Sequence, residues 1–210
     1  MSKLKQIAIL LPTVGIIIFV LLFFKAASLY DGGSDYNVNT KGFSWLHNYW
    51  CELLNSVSKN GQANKGKTYA LIAMMILSAS LSWFMLIIPQ LFTVKFKGFV
   101  LAQYSGILAF IFGIFIFTSL HDVIIITAAL LAIIAFSGIF IGLRKNQYYT
   151  LLKVGCLSFA LMFINYLVYF SNIMLWFLPV LQKLSMIILL AWIVLVNLEI
   201  LKNERRISKQ

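Results

Sequence analysis

The sequence predicts an all-α polytopic membrane protein, a bundle of six transmembrane helices with a short amphipathic helix in one outer loop. Three observations carry that expectation. Of 210 residues, 61% are hydrophobic and 11% charged, with a mean hydropathy of +0.93, whereas a soluble domain is about half apolar and a quarter charged. Apolar stretches of ~20 residues, enough to cross ~30 Å of hydrocarbon, recur along the chain. Basic residues collect at alternate ends of those stretches.

The first span covers residues 6–29. Lys3 and Lys5 before it and Ala26-Ala27-Ser28 at its end outline a secretory signal. The apolar run is longer than a signal core of about 7–15 residues, so it reads as an uncleaved span. The others follow at 69–94, 98–120, 123–143, 149–170 and 173–201. Only the connection 30–68 is long, so residues 1–210 form one transmembrane domain. Lys3, Lys5, Lys95, Lys97, Arg144, Lys145, Lys202, Arg205, Arg206 and Lys209 fall on one side, and Asp31, Asp35, Glu52 and Asp122 on the other. Positive-inside bias then puts both termini in the cytoplasm, with the bacterial plasma (inner) membrane as the expected location. Topology and lipid headgroups account for the net charge of +11, and no nucleic-acid partner is expected.

The outer loop opens with Asp31-Gly32-Gly33-Ser34-Asp35 and closes with Lys59-Asn60-Gly61-Gln62-Ala63-Asn64, both turn-rich. Between them, Phe43, Leu46, Trp50, Leu53, Leu54 and Val57 recur at helical spacing, with His47, Asn48, Cys51, Glu52 and Asn55 on the opposite face. This predicts an interfacial helix over Phe43 to Ser58. His47 and Cys51 are four apart, but the chain has one other histidine, His121. Zinc needs three or four ligands, so no metal and no cofactor is expected. Cys51 lies outside and Cys156 inside the fifth span, which disfavours an internal disulfide, and no CxxC is present.

Lys183 is the anomaly of the chain, a lone cation within the apolar run Ile173 to Leu201. Its insertion costs ~3 kcal/mol or more, so it faces protein or trapped water and has a partner. The predicted span puts it ten residues, ~15 Å, below the outer boundary. Pro179 is expected to kink the helix beside it. Polar residues in otherwise apolar helices are the candidate partners: Gln182 next to it, Asn165 and Tyr166 on the fifth span, and Tyr104 on the third. Asp122 suits an N-terminal helix cap, which leaves His121 at the same boundary without a capping role. No GxSxG, HExxH, P-loop or GxGxxG occurs. An enzyme would have to use His47 or His121 as general base with Glu52 or Asp122 orienting it.

Three features resemble the uncharacterised prokaryotic membrane family catalogued as domain of unknown function 998. They are Asn48-Tyr49-Trp50-Cys51-Glu52-Leu53-Leu54 followed by Asn60-Gly61-Gln62-Ala63-Asn64, His121 at a helix boundary, and Leu181-Gln182-Lys183-Leu184-Ser185 followed by Ala191-Trp192. The layout is more distantly similar to the eukaryotic Frag1/DRAM/Sfk1 group. The resemblance implies a six-span fold and one outward pocket shared by Lys183, His121 and the Glu52 loop, and it carries no activity. The functional expectation is a protein that binds a lipid or lipid-like amphiphile with an anionic head at that pocket. The alternatives are a structural partner in a homo-oligomer or membrane-protein assembly, an intramembrane lipid-modifying enzyme, and, last, a small transporter.

Overall fold

Six α-helices follow one another along the chain in a computed structural model that describes residues 2–94, 96–115, 118 and 120–208. They are α1 Lys3–Ser28, α2 Lys67–Ile87, α3 Phe99–Gly113, α4 His121–Lys145, α5 Tyr149–Ser171 and α6 Leu178–Ile207. A 3-10 turn, Ile88–Leu91, extends α2 at Pro89. Five of these segments are long and apolar enough to cross a membrane: Lys3–Ser28, Lys67–Leu91, Asp122–Lys145, Tyr149–Ser171 and Leu178–Ile207. The chain is a multi-pass helical bundle with no strand among the described residues.

α3 is shorter than its predicted span. Its 15 residues reach ~22 Å at 1.5 Å per residue, and it ends at Gly113. Within the predicted third span, residues 116, 117 and 119 lie outside the described residues. α6 departs from expectation at both ends. Asn172 and Met174 adopt left-handed conformations with φ near 57° and 56°, so residues 172–177 form a turn that hydropathy cannot distinguish from helix. Pro179 consequently sits in the first turn of α6, where its missing N–H has no intrahelical partner to lose. The expected kink is replaced by a helix start. Lys183 lies five residues from that start, ~7.5 Å along the axis, half the depth the sequence implied.

Small residues set the helix spacing. A Cβ on Gly15 would stand 1.7 Å from Ser80 Oγ, and one on Gly138 would stand 2.2 Å from Ala102 Cβ. Glycine at these points lets α1 approach α2, and α4 approach α3, as closely as membrane helices do. Trp83 Nε1–H on α2 donates to Ala8 O on α1 at 2.8 Å. α6 runs through the middle and buries Leu189, Leu190, Trp192, Ile193, Val196 and Ile200. Trp192 stacks on Phe136 and donates its indole N–H to Leu151 O at 2.7 Å. Asn197, fully buried, donates to Thr13 Oγ1 on α1 at 2.8 Å.

The two ends of the bundle differ in chemistry. One gathers the N-terminus of α1 and the C-terminus of α6, joined by Lys5–Glu204 at 2.5 Å. The 93–94 and 146 connections meet there through the Asn146 carboxamide. The other end carries residues 30–66, folded as a cap. Two isolated bridges, Gly32 with Lys41 and Val57 with Ala63, pin it. Gly33, at φ 80°, turns the chain where only glycine fits, since a Cβ would meet Asn60 N at 2.4 Å. The predicted helix over Phe43–Ser58 is reduced to a single 3-10 turn, Trp50–Leu54. Asn48 explains the difference: its Oδ1 accepts from Ser44 N at 2.7 Å, a local bond that competes with helix formation.

Candidate functional site

Cap and bundle meet at Lys183. Its side chain is 8% exposed, and its ammonium donates to Asn48 O in the cap at 2.6 Å and to Pro179 O one turn back on α6 at 2.9 Å. The Phe43 ring lies 5.7 Å from the nitrogen, within cation–π range. The adjacent residue makes a second cross-link, since Trp50 N–H donates to Gln182 Oε1 at 3.0 Å. A third, weaker contact runs from Tyr49 OH to Leu175 O at 3.4 Å. Trp50 also packs its ring on Phe19 and Phe23 of α1, with centroids 6.0 and 5.1 Å away. One turn of the cap is thus fastened to α6 by hydrogen bonds and to α1 by aromatic packing.

Asn48 is the junction of this site. It is fully buried. While its backbone carbonyl receives Lys183, its carboxamide donates to Gly33 O at 2.7 Å and to the Glu52 carboxylate. Glu52 is 3% exposed, its second oxygen is 3.9 Å from Lys59 Nζ, and Lys59 pairs in turn with Asp35. Charges therefore alternate inward from Asp35 at the surface through Lys59 and Glu52 to Lys183. Burial pushes the Glu52 carboxyl above the usual carboxylate range, against the Asn48 hydrogen bond and the Lys59 charge, which pull it down. For Lys59, burial pulls the ammonium down, but the Asp35 bond and the charges of Asp35 and Glu52 prevail, so it is raised. The Cys51 thiol is pushed up to about 11 by burial and the Glu52 charge. It is inert as a thiolate at neutral pH.

The other sequence candidates are scattered. His47 stacks on Tyr36 and shares a bond with Ser44 Oγ at 3.1 Å, whereas Glu52 is held by Asn48 and Lys59. Asp122, exposed at the start of α4, accepts from Tyr169 OH at 3.0 Å. The side chain of His121 lies outside the described residues. Asn165 donates to Ser185 Oγ at 3.1 Å, Ser185 donates to Gln182 O at 3.0 Å, and this chain of bonds carries α5 to the Lys183 neighbourhood. Tyr166 packs against Phe170, and Tyr104 is 61% exposed on α3. Among the described residues no group of three His, Cys, Asp or Glu could hold a metal ion.

Sequence reasoning missed three cap residues. Asn64 donates to Leu53 O at 3.0 Å and Asn55 O at 2.9 Å, while its Oδ1 accepts from Gly66 N at 2.9 Å. Lys59 N–H donates to Tyr30 OH at 3.0 Å. The available signal was Asn64 two residues before Gly66, the spacing of a side chain that bonds its own backbone two residues on. Comparison with protein-family models, with curated proteins and with solved structures finds no match for this chain.

Proposed function

We propose that this multi-pass protein binds an amphiphile with an anionic head at the seam between the cap and the outer end of α6, with the cap as its lid. The observation that carries the reading is Lys183: a buried ammonium whose two hydrogen-bond acceptors are neutral carbonyls, Asn48 O and Pro179 O. These bonds are charge-assisted through the ammonium alone, and an anionic oxygen in place of a carbonyl would add Coulombic attraction between opposite charges. A phosphate or carboxylate head entering the seam would thus compete with Asn48 O and offset the loss of the latch. The aromatic residues Phe43, Trp50 and Tyr49 would flank the apolar part. The same proposal places the chain in a bacterial plasma membrane, cap outward and termini cytoplasmic. Support comes from the excess of basic residues, including all three arginines, at the end opposite Asp31, Asp35 and Glu52. The resemblance to domain of unknown function 998 belongs with it, since it rests on the same loop and on Lys183.

A second reading has its own observation. Leu53 and Leu54 are buried with Trp50 against the bundle, as a permanent anchor requires, and the protein would then be an assembly partner presenting a fixed cap. Native mass spectrometry of detergent-purified protein, wild type against Lys183→Met, separates the two. Amphiphile binding predicts an anionic adduct on the wild type that the variant loses. Equal adducts, or none on either, would leave the anchor.

A further inference from the structure

The opposite end of the molecule carries a groove of about 330 Å³ lined by Leu198, Leu201, Lys202, Arg205 and Arg206. These positions follow the 3, 4, 7, 8 spacing of one helix face, so apolar floor and basic rim lie along a single stripe of α6. α6 has 30 residues, ~45 Å at 1.5 Å per residue, against ~30 Å of hydrocarbon. A hydrocarbon layer of ~30 Å that began at Leu178 would end near Leu198. That register puts the two leucines at the boundary and the three cations in the headgroup layer.

The neighbouring acids are already engaged. Glu204 is taken by Lys5 at 2.5 Å, and Glu199 holds Lys202 at 3.2 Å. Among the described residues no carboxylate pairs with Arg205 or Arg206. Asn203 bonds Tyr148 OH at 2.5 Å and Ser208 N–H bonds Glu204 O at 3.2 Å, so this helix end is held in place. Two adjacent guanidiniums offer forked donors matched to phosphate oxygens. The helix C-terminus itself carries partial negative charge, so the anion would be held by side chains and not by the helix dipole.

The geometry points to a binding site for the phosphate headgroup of an anionic phospholipid on this face, its acyl chains lying along exposed Leu198 and its phosphate meeting Arg205 and Arg206. The site is distinct from the cap and independent of what binds there. The test is native mass spectrometry of the full chain in detergent, titrated with phosphatidylglycerol, with phosphatidylcholine and with inorganic phosphate. The wild type should retain phosphatidylglycerol over phosphatidylcholine. Arg205→Gln/Arg206→Gln should lose about 25-fold in that preference, since each basic residue near an anionic membrane surface contributes about fivefold. The charge-matched Lys3→Gln/Lys97→Gln protein, altered at the same end, should keep it. Equal losses in the two double variants would reduce the effect to general charge and overturn the site. Retention of inorganic phosphate without phospholipid would overturn the lipid assignment, as would equal retention of the two lipids by the wild type.

Discussion

At the scale of single residues, Lys183 ties the sequence to the structure. A lysine in an apolar run announces a partner, and the partner here is the main-chain carbonyl of Asn48. No side-chain pattern could name it, because every residue offers a carbonyl. Replacing Lys183 by Met removes two bonds and leaves the Asn48 oxygen buried without its donor. A loss of about 2–3 kcal/mol in cap stability follows, and hydrogen exchange over residues 44–54 should rise while that of α2 stays unchanged. Glu52 gives a pH prediction. Its carboxyl is raised in the folded state, so the native cap binds more protons than the unfolded one. Its contribution is most favourable below the ordinary carboxylate value and declines as pH rises toward the raised value. Cap stability followed by proteolysis should fall over that window in the wild type and lose this component in Glu52→Gln.

At the scale of elements, hydropathy located the apolar helices and mistook their ends. The start of α6 was hidden because Ile173 to Phe177 is apolar yet turns, through left-handed Asn172 and Met174. That shift changed Pro179 from a kink into a helix start and halved the depth of Lys183. The amphipathic pattern over Phe43 to Ser58 was real, but local bonds from Asn48 and Asn64 folded it as a cap with one 3-10 turn. The spacing of α1 and α2 rests on Gly15 beside Ser80. Gly15→Val should therefore separate the two helices and cost about 1–3 kcal/mol, read as a lower midpoint of thermal unfolding in detergent. Gly15→Val combined with Ser80→Gly, which vacates the clashing hydroxymethyl, should recover most of that loss.

At the scale of the whole molecule, the bundle separates two kinds of polar chemistry. At one end, arginines and lysines surround the ends of α1, α4 and α6. At the other, a cap buries Asn48, Glu52 and Asn64 and closes over Lys183. Composition made the membrane class legible, and the lone lysine marked the end where the cap is fastened. The fastening of the cap was not legible, because it depends on long-range bonds between side chains of α6, Gln182 and Lys183, and the backbone of residues 48 and 50. The most direct test is hydrogen exchange at the Trp50–Leu54 amides, with an anionic single-chain phosphate amphiphile or a neutral one of equal chain length added to the purified protein. The account predicts that only the anionic compound alters exchange in the wild type, and that Lys183→Met abolishes the difference between the two. Identical responses to both amphiphiles in the wild type would contradict it.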